Sequence, residues 1–266
     1  MKVLLMGYGR MGHEVEAALL RRGHSVVARI DAAPGASGAA ASPSGEQMAE
    51  ADVAIEFSLA PAVRANAQMY AGAGLSAVVG TTGWKADEDA VRAAVRASGI
   101  GFLRASNFSI GAHIFFALVE EAARLVSTIS DYDVLIHEIH HNQKKDSPSG
   151  TALTAAARVL KNLSRKKRVV TEKLDRQIAP EELHVSSSRV GSVPGVHTLL
   201  LDSMADSIEI THTARSRGGF ALGAVLAAEW LSGSGPDGSG ADGAGTKKKG
   251  FFEVEDFINA IFSKGS

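Results

Sequence analysis

Fourteen consecutive residues, Glu138-Ile139-His140-His141-Asn142-Gln143-Lys144-Lys145-Asp146-Ser147-Pro148-Ser149-Gly150-Thr151, carry two imidazoles, two ammonium groups and a helix-start signal. They leave an apolar run, 134–139, that reads as a strand. Ser147 followed by Pro148 predicts an N-cap and a first helical position, with the helix running over 148–163. Ser149, Gly150 and Thr151 then fall in the first turn, where backbone N–H groups lack intrahelical acceptors and can hold a carboxylate. Lys144 adds a full positive charge, and a histidine supplies or holds a proton near neutral pH. The chemistry implied is capture of a carboxylate substrate whose conversion also needs a proton. Adjacent strand residues such as His140 and His141 point to opposite faces, and no third ligand stands at useful spacing, so no metal site is expected. His137, His184, His197 and His212 are read as structural, Trp84 and Trp230 as packing. Arg217 is left open as a cap, an interface contact or a substrate contact.

A second constellation is Gly7-Tyr8-Gly9-Arg10-Met11-Gly12, a G-x-G-x-x-G pattern that follows a strand, opens a helix, and precedes Asp31 by 19 residues counted from Gly12. Gly7 permits the tight turn, Gly9 lets backbone approach a pyrophosphate, and Gly12 allows close packing of helix on strand. The helix N-terminus supplies N–H groups and partial positive charge for the phosphates. Asp31 can accept hydrogen bonds from both ribose hydroxyls and would repel a 2′-phosphate, with no positive charge at Ala32 to compensate. NADH is therefore expected over NADPH, although Arg10 or Arg29 could reach a phosphate. Phe57, Gly80-Thr81-Thr82-Gly83 and Ala105-Ser106-Asn107-Phe108-Ser109 fall at carboxyl ends of strands, where open α/β sheets bind ligands.

The elements that must position these groups follow from apolar periodicity. Strands are predicted at 3–6, 25–30, 53–57, 77–80 and 101–104, with helices from about residue 14 to 21, at 60–72 and at 86–97, and a loop at 32–44. Strands alternating with helices imply a doubly wound parallel sheet of Rossmann type. Beyond it come a helix at 112–126, the strand at 134–139, the helix at 148–163, and extended stretches at 185–190, 197–202 and 208–213. Strands without intervening helices predict a second, α+β domain with a mainly antiparallel sheet. Helices are expected at 221–231 and 254–262, separated by a Gly/Ser/Asp-rich stretch, 232–245, read as a flexible loop.

Composition limits the alternatives. The chain has 266 residues, 45% of them hydrophobic, and a formal net charge of −1, which offers no field to gather nucleic acid or an anionic membrane. The basic runs Arg165–Arg168 and Lys247–Lys249 are read as solvated loop or helix ends. With no cysteine, thiolate nucleophiles, disulfides and cysteine metal sites are excluded together. No apolar run is long enough to span a bilayer or to serve as a signal-peptide core, and a cytoplasmic protein is expected.

The 138–151 segment closely resembles the signature of the dihydrodipicolinate (4-hydroxy-tetrahydrodipicolinate) reductase family, E-x-H-H-x-x-K-x-D-x-P-S-G-T. The resemblance extends over nearly the whole chain, through Gly9–Gly12, Phe57-Ser58, Gly80–Gly83, Ala105–Gly111, Ile210–His212 and Phe220-Ala221 before Gly223-Ala224. It implies transfer of hydride from NAD(P)H to a cyclic dicarboxylate, giving tetrahydrodipicolinate on the diaminopimelate route to lysine. It implies proton donation by His140 and Lys144, substrate contact by His141, and a carboxylate held by Ser149, Gly150 and Thr151. Cofactor contacts are implied at Gly80, Thr81, Thr82 and at Ala105, Ser106, Asn107 and Phe108. A homotetramer assembled through the second domain's sheet is implied as well. The C-terminal helices are implied to return to the nucleotide domain, giving 1–110 with 217–266 as dinucleotide domain, 232–249 being its flexible loop, and 111–216 as substrate and oligomerisation domain. Two departures stand out: Val196 occupies the acidic position of the family's Gly-Glu-His, and the cofactor turn is one residue shorter than in some members. Competing readings are a related two-domain amino- or hydroxy-acid dehydrogenase and a non-catalytic NAD-sensing module.

Overall fold

The computed structural model describes residues 1–33, 38–235 and 245–262. In chain order the first part contains β1 (Lys2–Met6), α1 (Arg10–Arg21), β2 (Ser25–Ile30), α2 (Gly45–Glu50), β3 (Val53–Glu56), α3 (Val63–Ala73), β4 (Ser76–Val79), α4 (Glu88–Ser98) and β5 (Gly101–Arg104). There follow α5 (Ile110–Leu125), β6 (Asp133–His140), α6 (Gly150–Asn162), β7 (Arg168–Val170), β8 (Glu182–Arg189), β9 (Val196–Asp202) and β10 (Ser207–Thr213). The chain closes with α7 (Gly218–Ser232), β11 (Gly250–Glu253) and α8 (Val254–Phe262). It divides into two compact units, Met1–Ile110 with Arg217–Ser266, and Gly111–Ser216.

The first unit is a parallel sheet of order β11-β5-β4-β3-β1-β2, the expected Rossmann-type layer structure. Every residue of β3 and β4 is buried, because helices cover both faces of a parallel sheet and no strand face meets water. Alternate residues serve the two sides. Val3, Leu5, Val53 and Ile55 pack with α1, α7 and α8, while Leu4, Met6, Ala54 and Val79 pack with residues of α3 and α4. α7 lies against α1 and the sheet. The approach is close enough that a Cβ on Gly223 would sit 1.7 Å from the carbonyl oxygen of Phe108.

The second unit is a sheet of order β10-β9-β6-β8-β7. Its core joins Val134, Ile136, Leu183, Val185, Leu199 and Leu201 to apolar residues of α5 and α6. The antiparallel character expected from the sequence holds for β6–β9 and β9–β10, whereas β6–β8 and β7–β8 are parallel. The sheet is therefore mixed: α6 and the 171–181 segment are connections long enough to return the chain to the same end, as parallel pairing requires.

Several expectations change. The second unit's α6 does not begin at Pro148 with Ser147 as its cap. Ser149 is the N-cap, with extended backbone (φ −69°, ψ 157°) and an Oγ that accepts from Ala152 N–H, so the helix starts two residues later. The loop read over 32–44 ends at Ser44, which caps the short α2 through a reciprocal pair with Gln47; residues 34–37 lie outside the described residues. β7 and β11 were not expected. β11 becomes a strand through parallel pairing with β5, which sets Phe251 beside Phe102 with ring centroids 5.3 Å apart. The 232–249 stretch is anchored at both ends: Ser232 belongs to α7, Gly233 caps it at φ 75°, and Lys248 N–H donates to Leu231 O at 2.9 Å. Residues 236–244 lie outside the described residues.

Candidate active site

Within the first unit, the glycine turn and three other loops gather at the carboxyl ends of β1 to β5 because hydrogen bonds continue the ladder past the strands. Gly7 N–H donates to Ile30 O (2.8 Å), Phe57 to Met6 O (2.8 Å), Gly80 to Glu56 O (2.8 Å) and Ala105 to Val79 O (3.1 Å). Gly7 has φ 91°, and a Cβ there would lie 2.1 Å from Phe57 O, so only glycine fits the turn. Gly80 faces the Phe57 ring, which a Cβ would meet at 2.1 Å. Thr81 Oγ1 accepts from Ser58 N–H (2.8 Å), and the Phe57 and Phe108 rings meet edge to face at 6.1 Å.

The turn itself suits a phosphate. Gly9 is the N-cap of α1 and offers no side-chain cap, a Cβ placed there would meet nothing within 4 Å among the described residues, and the N–H groups of Arg10, Met11 and Gly12 open the helix. Asp31, one residue past β2, accepts from Tyr8 N–H and Ala33 N–H, each at 2.9 Å. Tyr8 turns its ring into the core, where its hydroxyl donates to Glu16. Arg29 also binds Glu16, through Nε and Nη2, and lies over the Tyr8 ring. The fingerprint, Asp31, Phe57, Gly80–Thr82 and Ala105–Phe108 thus share one edge of one sheet. A cavity of about 380 Å³ opens there, lined by Thr81, Thr82, Trp84, Arg104, Ala105 and Glu253 among others. Arg104 and Glu253, both charged and joined at 2.7 Å, were not singled out from sequence, since β11 was not anticipated.

In the second unit the chemistry collects where β6 ends. Residues of β6 alternate in burial, so Glu138 and His140 continue the inward line of Val134 and Ile136. His137 faces the other way and meets Ser186 Oγ at 2.7 Å. Register completes the group: Glu138 stands opposite His197 on β9, and His140 beside Arg189 on β8. Glu138 Oε1 accepts from Arg189 Nη2 (3.2 Å) and from Ser149 N–H (3.1 Å), and Oε2 lies 3.3 Å from His140 Nδ1 and 3.6 Å from His197 Nε2. His197 Nε2 also meets Ser149 Oγ at 3.1 Å.

Because Ser149 spends its N–H on Glu138, the amides left for an anion at α6 are those of Gly150 and Thr151, which have no partner among the described residues. Lys144 sits in the turn after β6, its N–H on His141 O at 3.1 Å and its ammonium 2.9 Å from Asp146. His141, just past the strand, is half-buried.

Electrostatics follow burial. Burial pushes His140 below the usual histidine range; the Glu138 charge opposes this, and Lys144, Arg189 and His141 reinforce it. His197 is pushed down to about 4, by burial first and then by His140. Burial alone would raise the Glu138 carboxyl, yet the hydrogen bonds around it, Ser149 foremost, hold it below the ordinary range. Three groups with ligand atoms mutually within 4.8 Å, Glu138, His140 and His197, now stand together where the sequence showed no third metal ligand. Glu138, Arg189 and His197 are the site residues that sequence reasoning missed. The available signals were alternation, which pairs Glu138 with His140, and the family-like Gly195-Val196-His197.

Two family models match the chain: dihydrodipicolinate reductase, N-terminus, over residues 1–108, and dihydrodipicolinate reductase, C-terminus, over residues 111–258. The 4-hydroxy-tetrahydrodipicolinate reductase of Christiangramia forsetii is 37% identical over 269 residues, covering 98% of this chain and 99% of its own length. The enzyme of that name from Methanosarcina mazei is 42% identical over 190 residues, 70% of each chain. Among solved structures, a dipicolinate-bound dihydrodipicolinate reductase from Paenisporosarcina sp. TG-14 superposes with a TM-score of 0.69 at 19% identity, over 95% of this chain and 97% of that one, a likeness of fold. With both halves matched and the first of these relatives aligned nearly end to end, the chain belongs to the dihydrodipicolinate reductase family.

Proposed function

We propose that the protein is a 4-hydroxy-tetrahydrodipicolinate reductase, reducing its substrate to tetrahydrodipicolinate on the diaminopimelate route to lysine. The observation that carries this reading is the end of β6. There a buried imidazole, the Lys144 ammonium and the two unpartnered amides of Gly150 and Thr151 occupy one short stretch of chain. The N-terminal unit binds NAD(P), and the Gly111–Ser216 unit holds the dicarboxylate.

Bound NAD(P)H would supply the hydride to the ring, the 4-hydroxyl being lost as water together with a hydrogen from the adjacent ring carbon. In our reading the chain's own groups do the rest. Gly7, Gly9 and the N–H groups of Arg10, Met11 and Gly12 hold the pyrophosphate, with Tyr8 filling the turn from beneath. Phe57, Gly80, Thr81 and Thr82, with Ala105, Ser106, Asn107 and Phe108, line the nicotinamide half of the edge. The Gly150 and Thr151 amides and the Ser149 side chain hold one carboxylate, and His141 contacts the substrate. His140 and Lys144 deliver the proton. Taking a carboxylate out of water costs several kcal/mol, roughly, unless donors replace the solvent, and these amides with Lys144 are the local offset.

The same reading favours NADH. The Asp31 carboxylate stands one residue past β2 as an acceptor for ribose hydroxyls, and Arg29 is committed to Glu16. A 2′-phosphate there would meet a carboxylate and no unpaired guanidinium on β2. We assign the protein to the cytoplasm as a homotetramer built through the second unit's sheet, with no nucleic-acid partner.

A coupled assay tests the activity: dihydrodipicolinate synthase and its substrates are mixed with this protein and NADH, and absorbance is followed. Oxidation of NADH that depends on the synthase is expected, and its absence removes the reading. Titration with both nucleotides tests the preference, and markedly tighter NADPH binding would overturn the role given to Asp31.

A further inference from the structure

Four elements meet at one buried carboxylate. Glu138 on β6 is wholly buried, and it is held through Oε1 by Arg189 of β8 and by the amide that begins α6. Its Oε2 has no hydrogen-bond partner among the described residues, and neither has His140 Nδ1, although the two lie 3.3 Å apart. An ionised carboxylate only accepts. A ring-nitrogen lone pair aimed at it, in a place water does not screen, would be repelled, so the proton of neutral His140 belongs on Nδ1. The separation becomes a hydrogen bond once the ring turns onto Oε2.

We infer that Glu138 is a positioning residue for the reduction: it fixes His140 as the Nδ1–H tautomer and stabilises the imidazolium, leaving Nε2 as the nitrogen that exchanges the proton. The inference rests on the reading that His140 handles a proton. The proton delivered to the ring leaves Nε2, the one on Nδ1 stays against Glu138, and Nε2 is reloaded from solvent. Arg189 and the Ser149 amide keep the carboxylate charged while it is buried. Gly195 keeps the far side of the ring open, since a Cβ there would lie 2.9 Å from His140 Nε2. His197 does not replace His140, because its Nε2 faces Ser149 Oγ as well as Glu138.

The charged and titratable groups facing His140 are Glu138 on its own strand, His141 and Lys144 in the following turn, Arg189 on β8 and His197 on β9. Glu138, His140 and His197 also have the spacing of cation ligands. The Arg189 guanidinium already pairs with the same carboxylate and opposes a second cation there.

The test uses the full chain, with ¹⁵N NMR of its histidine rings and steady-state kinetics against pH. The His140 ring signals are assigned by their loss in His140→Gln. In the unmodified protein the neutral His140 ring should be the Nδ1–H tautomer; finding Nε2–H sinks the inference without any variant. Glu138→Gln keeps an acceptor for Ser149 and removes the charge. It should mix the tautomers, shift the acidic limb of the kcat profile, and lower kcat by about 10²–10³-fold with KM for NADH within about twofold. Glu138→Asp, which restores the charge, should recover part of that loss. An unchanged ring tautomer or an unchanged kcat profile in Glu138→Gln overturns the positioning role. Activity lost on chelation and restored only by zinc overturns it in favour of a metal site. If the unmodified protein shows no synthase-dependent oxidation, the proposed function fails, and the ring signals still decide the tautomer separately.

Discussion

Lys144 carries a charge that the surrounding residues only partly spend, on Asp146 at 2.9 Å. Replacing it should harm both substrate capture and proton delivery, since one ammonium serves both. Lys144→Ala is expected to lower kcat by about 10²–10⁴-fold and to raise KM for the dicarboxylate, while NADH binding is unchanged. Near-normal turnover in that variant would remove Lys144 from the chemistry. Asp31 acts in the other unit through its sign. Asp31→Ser should shift the ratio of kcat/KM values toward NADPH by about tenfold, equivalent to roughly 1.4 kcal/mol. A ratio that does not move would mean that Arg10, rather than Asp31, sets the preference. These residues were legible in the chain because each belongs to a short, local pattern. His197 and Arg189 were not: they reach Glu138 only through the register of β9 and β8 against β6.

At the scale of elements, the start of α6 ties the site to the sheet. Ser149 caps the helix with its Oγ, gives its N–H to Glu138 and touches His197. Ser149→Ala should cost about 1 kcal/mol of stability through the lost cap, measured by denaturant unfolding, and should loosen His197. No change in the unfolding midpoint would show that the cap is replaced. Ser147-Pro148 imitated a helix start because serine and proline have those preferences wherever they occur. The true start was chosen by a tertiary bond, that of Ser149 N–H to a carboxylate eleven residues earlier on a strand. Close approach is the other control. Gly223→Ala would place a methyl 1.7 Å from the Phe108 carbonyl oxygen, forcing α7 off the sheet, and a loss of about 2 kcal/mol or more is expected. A thermal midpoint within error of the unsubstituted protein would refute that packing.

Across the whole molecule, the site's buried histidines connect acid to stability. His197 sits at about 4 when folded against an ordinary value of 6.5. Below about 6.5 the unfolded chain binds a proton that the folded chain refuses. The contribution is therefore complete above that pH and is lost as pH falls toward 4. The total at stake is roughly 3 kcal/mol, taking about 1.4 kcal/mol per pH unit. Unfolding free energy measured across that window should slope upward with pH, and His197→Gln should flatten the slope. An identical slope in the variant would place the acid sensitivity elsewhere.

What the amino-acid order determined by itself was local in origin: five parallel strands with their glycine turn, the acidic residue that follows β2, and the His-His-Lys segment leaving β6. Periodicity and turn chemistry act over a few residues, so they can be read without knowing what lies opposite. The tertiary structure decided which strands became neighbours, and with that the mixed pairing of the second sheet, the capture of β11 by β5, and the meeting of Glu138, His140, Arg189 and His197. Strand register is set by burial on faces contributed from distant parts of the chain, and no nearby residue records it.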